Sequence, residues 1–201
     1  MIEVIFDVET KKFFDDINER DPGKLGISVL SAYRREVNKG REIRGEMRSF
    51  FENDFSNMWR WFEEAERIIG FNSLGFDVPA VNVYYKNDFA KLPHFDIMAK
   101  VKDAIGRRIS LDAIAKETLG KSKLASGADA VEWWARGDKD SLEKLVKYCE
   151  MDVEVTRDIY DAGLINKRLK YKDRWNELRE VEVDFSYPKI EEKREEQMGL
   201  W

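Results

Sequence analysis

The chain opens with a short apolar run at residues 2–8 that is rich in β-branched and aromatic side chains. A run of this length and composition predicts a buried strand. Successive side chains of a strand point to opposite faces, so Asp7 and Glu9 project to one side while Phe6 and Val8 project to the other. The sequence therefore predicts two carboxylates side by side at the end of a buried strand.

The negative charge of two carboxylates at such a strand end has to be compensated. Beside apolar neighbours they repel each other and resist removal from water, unless a cation neutralises them or one of them is protonated. A hard divalent metal ion is the natural partner for such a pair. The alternative is a strand that simply ends in polar turn residues, and Asp7 and Glu9 alone do not separate the two interpretations.

The rest of the chain has the pattern of an α/β domain. Strands are expected at 25–34 and 43–52, after a loop over 11–24, which suggests a meander of strands. Further along, helices are expected at 56–67, 76–85, 97–105, 110–119, 128–135 and 141–164, with short strands at 68–72 and 94–96. Early strands followed by this alternation predict a central mixed sheet with helices on both faces.

The composition fits one domain with a short extension. Of the 201 residues, 43% are hydrophobic, which is enough for a sizeable core, and the 37% that are charged leave a net charge of only −5. This balance argues against a polybasic arm, so any surface for phosphates must be local. A single cysteine and a single histidine exclude an internal disulfide and a cysteine–histidine zinc site. With no signal peptide or membrane-spanning run, we expect a cytoplasmic protein without membrane association.

Three more residues are candidates for chemistry. Asp77 precedes a proline-containing segment, which suits the N-cap of a helix, and in isolation this structural role is the simpler interpretation. On the helix expected at 141–164, the inward stripe consists of Leu142, Leu145, Cys149, Val153, Thr156 and Tyr160. Asp152 falls at the edge of this stripe, and Tyr148 lies one turn earlier on the same side. In isolation, a half-buried tyrosine beside a solvated aspartate is the simpler interpretation of that pair.

The order of these residues along the chain resembles the three motifs of the DEDD superfamily of 3′–5′ exonucleases. The matching segments are Phe6-Asp7-Val8-Glu9-Thr10, Asn72 with Phe76-Asp77, and Tyr148-Cys149-Glu150-Met151-Asp152. The tyrosine resembles that of the tyrosine-containing (DEDDy) branch, which includes RNase D and the proofreading domains of many DNA polymerases. In the histidine branch, a histidine would stand where this chain has Lys147. The resemblance spans residues 1–165 and is to small stand-alone predicted exonucleases of bacteria, archaea and phages.

The resemblance implies an RNase H-like fold, with a central five-stranded mixed sheet flanked by helices. It implies a metal-dependent 3′–5′ exonuclease that hydrolyses terminal phosphodiester bonds of DNA, with single-stranded 3′ ends favoured. Two divalent cations, Mg²⁺ or Mn²⁺, would be held by Asp7, Glu9, Asp77 and Asp152. In the family pattern Asp7 bridges both ions, Glu9 and Asp152 complete the metal on the side of the attacking water, and Asp77 supports the other. Tyr148 would orient the water.

Five residues are candidates for substrate binding. Thr10, Asn72 and Phe76 lie within the matching motifs and would contact the terminal nucleotide, although each also has an ordinary structural explanation. Between positions 100 and 123, seven basic residues stand against three acids. In this segment, Lys121 and Lys123 are the candidates for contact with the phosphate backbone. Charged helix faces are often merely solvated, so both interpretations stand.

Other functions stay open from the sequence alone. An RNase D-like 3′–5′ exoribonuclease would carry the same motifs, and no residue separates it from a DNA exonuclease. A non-catalytic nucleic-acid-binding or partner-docking module is disfavoured, because all four acids and the tyrosine are present. Residues 166–201 form a charged extension, with a strand expected at 180–185. This extension either packs on the domain or docks a partner such as a replication or repair protein.

Overall fold

The structure is a computed structural model that describes residues 1–121 and 126–187. Its centre is a five-stranded sheet in the order β3-β2-β1-β4-β5, formed by β1 (Ile2–Thr10), β2 (Ile27–Asn38), β3 (Arg41–Phe50), β4 (Arg67–Gly70) and β5 (His94–Asp96). The first three strands are antiparallel neighbours, whereas β4 and β5 run parallel to β1. The mixed five-stranded sheet expected from the sequence is therefore confirmed.

Helices flank this sheet. The α-helices in the described ranges are α1 (Phe14–Ile17), α2 (Trp59–Glu63), α3 (Asp77–Asn82), α4 (Ile97–Ile105), α5 (Leu111–Leu119), α6 (Gly127–Arg136) and α7 (Lys139–Asn166). Short 3₁₀ turns lie at Pro22–Lys24, Glu52–Asn57, Ser73–Gly75 and Phe89–Lys91. Across residues 1–121 and 126–187, no helix combines the length and the apolar character needed to cross a bilayer.

The central strand β1 is covered on both faces, which explains its nearly continuous apolar sequence. Phe6 and Val8 belong to a buried cluster that includes residues of α2 and α3. Ile5 belongs to a second cluster, with residues of α4, α5 and α7. Because alternate residues of a strand share a face, Asp7 and Glu9 lie on the same face as Ile5 and point toward α7. Strand periodicity thus directs both acids to the last long helix.

The helix expected at 56–67 is wrong in extent. A 3₁₀ turn ends at Asn57, α2 covers only Trp59–Glu63, and Arg67 already opens β4. Arg67 is buried, and its guanidinium donates hydrogen bonds to the Tyr160 hydroxyl at 2.9 Å and to the Phe185 carbonyl at 2.7 Å. Contacts with residues far along the chain therefore decide the conformation of this segment, against its helical spacing.

Smaller differences concern where elements begin and end. The strand expected at 25–34 continues to Asn38, and the one expected at 43–52 begins at Arg41 and ends at Phe50. Lys39 and Gly40 join β2 and β3 in a tight turn, with φ values of 50° and 75°. Two consecutive residues with positive φ are typical of the hairpin turn whose twist matches paired strands. The segment 11–24, expected as a loop, contains α1 and a 3₁₀ turn. Helix α3 and strand β4 both end earlier than expected.

The charged segment after α7 packs onto the domain. Strands β6 (Arg168–Lys172) and β7 (Leu178–Glu182) form a two-stranded antiparallel sheet that contacts α4, α5 and α7. The strand expected at 180–185 corresponds to β7, whereas β6 was not expected. The side chains that join the Ile5 cluster are Leu169, Tyr171, Val181, Val183 and Phe185. Residues 188–201, the end of the tail considered for a replication or repair partner, lie outside the described residues.

A buried network of charged and hydroxyl groups holds this segment against the sheet. Glu3 of β1 accepts hydrogen bonds from Arg35 at 2.8 Å, from Tyr160 at 3.0 Å, and from Tyr187. Buried charges are tolerated where they are paired and hydrogen-bonded, and removing one partner leaves the other uncompensated. The network therefore joins Tyr187, near the end of the described chain, to the start of β1, at the opposite end of the strand from Asp7 and Glu9.

Phe185→Ala is expected to lower the free energy of unfolding by about 3–5 kcal/mol, the range for deleting a fully buried aromatic side chain. The Phe185 ring fits against Gly163 of α7, where an added β-carbon would come within 2.1 Å of it. Urea denaturation measures the change. Leu178→Ala, an exposed position on β7, is the control and should change stability by less than about 0.5 kcal/mol. Equal effects of the two variants would contradict the packing of this segment.

Candidate active site

Three carboxylates from two distant segments of the sequence meet at the end of β1. Asp7 and Glu9 lie on β1, and Asp152 lies on α7. One oxygen of each carboxylate lies within 4.8 Å of an oxygen of the other two. Asp152 is buried, whereas Asp7 and Glu9 are half-buried. Like charges this close together in a partly buried site repel one another, and a bound cation would relieve that repulsion.

The fourth acid, Asp77, is bound to the same strand. Its carboxylate accepts a hydrogen bond of 3.0 Å from the backbone N–H of Val8, which lies between the two acids of β1. The expected N-cap position is wrong in detail, because Phe76 is the N-cap and Asp77 is the first residue of α3. The start of α3 is thus joined to β1 by a side chain that would otherwise have capped the helix.

Burial raises the pKa of Asp77 to about 7, and the negative charges of Asp96 and Asp152 reinforce this effect against the Val8 hydrogen bond. In an unfolded chain the pKa of an aspartate is about 3.9. The folded chain therefore binds one more proton than the unfolded chain between these two pKa values. The contribution of Asp77 to the stability of the metal-free protein is therefore fully present below a pH of about 4 and is lost as the pH rises through about 7.

Asp77→Asn is accordingly expected to raise the melting temperature of the metal-free protein more at pH 8 than at pH 5. At pH 5 only the first part of the loss caused by Asp77 has occurred, whereas at pH 8 the loss is complete. The expected gain at pH 8 is at least about 2–4 °C, the shift that 1 kcal/mol gives for a chain of this size. Thermal melts in EDTA measure it, with Asp15→Asn at an exposed position of α1 as the control. Equal stabilisation at both pH values would contradict the raised pKa.

Tyr148 is buried beside the carboxylates, one turn before Asp152 on α7, and is less exposed than the half-buried side chain expected from the sequence. Its ring packs edge to face on Trp133 of α6, with centroids 6.1 Å apart. Burial raises the pKa of Tyr148, and the charges of Asp152, Glu9 and Asp7 raise it further. The hydroxyl is therefore protonated at neutral pH, which makes it a hydrogen-bond donor rather than a base.

A cavity of about 410 Å³ brings the acids together with aromatic rings. Asp7, Glu9, Asp77 and Asp152 line it. Phe13, Phe14 and Phe76 line it as well, and the rings of Phe14 and Phe76 meet edge to face at 6.0 Å. Phe13 and Phe14 were not expected from the sequence. Their signal was two adjacent aromatic residues in a polar segment directly after the first motif, and Phe13 is 42% exposed.

The structure brings three of the expected substrate residues to this cavity, namely Thr10, Asn72 and Phe76. The Thr10 hydroxyl donates a hydrogen bond of 3.0 Å to the carbonyl of Lys12, so it also shapes the chain just after β1. Asn72 has a left-handed backbone, with φ of 64°, and its side-chain oxygen accepts from Arg108 at 2.9 Å. Both polar side chains therefore have structural contacts at the edge of the cavity.

Asp96 holds the loop that carries Asn72. Its carboxylate accepts hydrogen bonds from the backbone N–H groups of Asn72 at 2.8 Å and Leu74 at 3.0 Å, and it caps α4 through Ala99 at 3.1 Å. The structure makes it a support for the loop between β4 and α3, which leads to Phe76 and Asp77.

The structure describes one of the two lysines that were expected to contact the phosphate backbone. Lys121 forms an ion pair of 2.5 Å with Asp158 of α7. Part of its charge is therefore neutralised within the protein. Lys123 lies outside the described residues.

The donor atoms of the site suit a hard divalent cation. All four acids offer carboxylate oxygens, the ligands that Mg²⁺ and Mn²⁺ prefer. The soft donor nearby is Cys149, whose S–H group donates to the Asp7 carbonyl at 3.4 Å. Burial raises the pKa of the Cys149 thiol, so it stays protonated and is unsuited to bind a metal. The residues present therefore fit a hard metal bound by oxygen.

A five-stranded mixed sheet with acids at the end of its central strand defines an RNase H-like α/β domain. The sequence profile of the RNase_H superfamily matches residues 4–163, and the chain belongs to this superfamily. The RNase H-like fold expected from the three motifs is thereby confirmed. No curated protein sequence matches the chain.

Similar solved structures include the family B DNA polymerase from the hyperthermophilic archaeon Pyrobaculum calidifontis. It aligns with a TM-score of 0.59 and 18% identity, over 82% of this chain and 24% of the polymerase. The zinc-bound complex of E. coli ExoI with single-stranded DNA aligns with a TM-score of 0.47 and 14% identity, over 83% of this chain and 41% of that chain. This chain thus spans less than half the length of either protein, and the polymerase shares its fold.

Proposed function

We propose that this chain is a metal-dependent 3′–5′ exonuclease that removes nucleotides from single-stranded 3′ ends of DNA. The observation that carries the proposal is the meeting of Asp7, Glu9 and Asp152 within 4.8 Å. Asp77 of α3, which accepts a hydrogen bond from β1, and Tyr148 of α7 complete the set. Membership of the RNase_H superfamily supports a nuclease. The 3′–5′ polarity and the DNA substrate rest on the resemblance of the three motifs to the DEDD exonucleases.

The four acids would hold two hard cations, Mg²⁺ or Mn²⁺. The chemistry that such ions supply is an activated water and a stabilised leaving oxygen for phosphodiester hydrolysis. In line with the family resemblance, Asp7 would contact both ions, Glu9 and Asp152 would complete the site on the side of the water, and Asp77 would serve the side of the leaving 3′ oxygen. Burial of Asp152 and Asp77 keeps these two carboxylates out of bulk water.

Tyr148 would orient the attacking water. Because its hydroxyl stays protonated, it donates a hydrogen bond to the water oxygen and leaves a lone pair of that oxygen directed at phosphorus. Packing on Trp133 limits the positions that the ring can adopt. The tyrosine therefore contributes geometry to the chemical step rather than proton removal.

The aromatic part of the cavity would receive the terminal nucleotide. Phe13 and Phe76 offer ring faces for a base, a contact that tolerates any sequence because every base has a π-face. Thr10 and Asn72 would bind the terminal sugar. Lys12, an exposed residue that also lines the cavity, would meet a phosphate.

The proposal is tested by incubating the protein with labelled single- and double-stranded DNA and RNA, with Mg²⁺ or Mn²⁺ or with EDTA. A 3′–5′ exonuclease shortens 5′-labelled single strands stepwise and releases the label of 3′-labelled strands at once as a mononucleotide. Asp7→Asn is the inactive control, and Asp15→Asn, an exposed change on α1, is the matched active control.

The same assay distinguishes the competing outcomes. Faster turnover of RNA than of DNA would replace the DNA exonuclease with an exoribonuclease on the same site. Immediate release of the label from 5′-labelled strands would overturn the polarity. No cleavage of any substrate with either metal would overturn the proposed function.

A further inference from the structure

The turn between β6 and β7 exposes an aromatic ring among arginines. Trp175 is 66% exposed, and the guanidinium of Arg174 lies 4.0 Å from the centre of its ring. Beside them is a second cavity of about 360 Å³, and its lining residues are Arg107, Tyr171, Asp173, Arg174, Trp175 and Arg179. Three arginines and two aromatic rings thus share one surface, which we call the hairpin surface.

The turn that presents Trp175 is held in one conformation. The Asp173 carboxylate accepts hydrogen bonds from the backbone N–H groups of Trp175 at 2.9 Å and Glu177 at 3.1 Å, and from the Arg179 side chain at 2.8 Å. Asn176 supplies the positive φ, 61°, that the turn requires. Arg179 therefore supports the turn, and the exposure of Trp175 does not come from a loosely held loop.

Arg107 and Arg174 are suited to bind phosphate. The guanidinium of Arg107 lies 5.2 Å from the centre of the Tyr171 ring, much as Arg174 lies over Trp175. A guanidinium that rests its face on a ring keeps its N–H groups at the edge, where they are able to donate to a phosphate. An exposed indole beside such groups is the arrangement used to bind single-stranded nucleic acid without sequence preference.

The hairpin surface is adjacent to the proposed active site through two consecutive residues. Arg107 reaches Tyr171 on β6, and Arg108 donates a hydrogen bond of 2.9 Å to the side chain of Asn72, which lines the catalytic cavity. The distance between the two sites is therefore at most the distance that the side chains of two consecutive arginines cover together. A strand that leaves the catalytic cavity past Asn72 would meet the hairpin surface next.

We propose that the hairpin surface binds the single strand behind its 3′ end, with Trp175 stacked on a base and with Arg107 and Arg174 on phosphates. This inference rests on the proposed exonuclease function. Tryptophan, tyrosine and arginine are also enriched at protein interfaces. A nucleic acid is favoured because the lining carries Arg107 and Arg174 in addition to Arg179, which pairs with Asp173 and Glu177. It is also favoured because Arg107 and Arg108 link the surface to the catalytic cavity.

The test compares two double variants of the full chain. The hairpin variant combines Arg174→Ala and Trp175→Ala, and the β3 variant, its control, combines Ile43→Ala and Arg44→Ala. The second pair is also an exposed arginine beside an exposed apolar residue, on β3. Fluorescence anisotropy in excess EDTA measures binding of labelled dT20, dT4 and U20. We expect the hairpin variant to lose about tenfold in affinity for the long strands, by loss of one stacked base and one phosphate contact. Its affinity for dT4 and that of the β3 variant for all three strands should equal the parental values.

The outcomes separate this inference from the proposed function. Loss of affinity for dT20, U20 or both, with dT4 unchanged, supports the hairpin surface and reports the sugar it tolerates. Parental affinity of the hairpin variant for both long strands overturns the inference and assigns the surface to a protein partner, while cleavage by the parental chain would keep the exonuclease. Equal loss for dT4 and dT20 also overturns it, because the effect would then lie in the catalytic cavity. A parental chain that neither binds nor cleaves these strands overturns both.

Discussion

Removal of divalent cations is expected to abolish hydrolysis and to lower the melting temperature of the protein. Asp7, Glu9 and Asp152 offer oxygens within 4.8 Å of one another, and cations compensate this concentration of negative charge. A ligand that binds only the folded chain stabilises it by about 2.7 kcal/mol at 100 times its Kd. For a chain of this size that is roughly 5–10 °C. Cleavage assays and thermal melts in EDTA, and then in saturating Mg²⁺ or Mn²⁺, measure both effects.

The substitution Asp152→Asn tests whether the acids are the reason why hydrolysis and the melting temperature depend on metal. It removes one negative charge from the cluster, so it should abolish turnover and remove most of the rise in melting temperature that the metal produces. Asp140→Asn changes an exposed aspartate in the first turn of the same helix and should leave both unchanged. Turnover in excess EDTA would contradict the metal mechanism. A full metal-dependent rise in the Asp152→Asn protein would remove this acid from the site.

The elements that could be predicted from the sequence are those with a strong local pattern. Strand β1 was predictable because it is buried on both faces and therefore apolar along most of its length. Helix α7 was predictable because an apolar stripe repeats along it at helical spacing. The sheet followed from the order of the strands and from the family resemblance. These properties need no information about which distant segment packs on which.

The elements that could not be predicted depend on distant contacts. Strand β6 alternates charged and apolar residues, but its charge hid the pattern, and Leu169 and Tyr171 are buried in a core shared with α5 and α7. Arg67 looked like the end of a helix, yet its guanidinium is buried against Tyr160 and Phe185. In both cases tertiary packing overrides local propensity.

The candidate site likewise has features that could be predicted from the sequence and features that could not. The residue types and their order along the chain pointed to four acids and a tyrosine, whereas the position of α7 over β1 that brings Asp152 to Asp7 has no local signal. The hydrogen bond from Val8 to Asp77 and the ion pair of Lys121 with Asp158 are likewise visible only in three dimensions. The ion pair also changes the expectation for Lys121, since a lysine already paired has less charge to offer a phosphate.

Tyr148→Phe is expected to slow the chemical step by about 10²–10⁴-fold, the range for a positioned group that handles a proton or a hydrogen bond. The substitution keeps the ring and its packing on Trp133, and it deletes only the hydroxyl. Single-turnover kinetics at saturating substrate and metal measure the loss. The rise in melting temperature on adding metal should stay parental, which distinguishes this variant from Asp152→Asn.

Tyr160→Phe is the matched control for this tyrosine. Tyr160 is also buried on α7, and its hydroxyl bonds to Glu3 and Arg67, so its loss should lower stability without changing the rate. A parental rate for Tyr148→Phe, with Asp152→Asn inactive, would keep the metal site and reject the role of the tyrosine. Full activity of both Tyr148→Phe and Asp152→Asn would reject α7 as the catalytic helix. Equal slowing by Tyr148→Phe and Tyr160→Phe would mean that the rate follows the packing of α7, because Tyr148 lies beside Asp7, Glu9 and Asp152 whereas the Tyr160 hydroxyl bonds to Glu3.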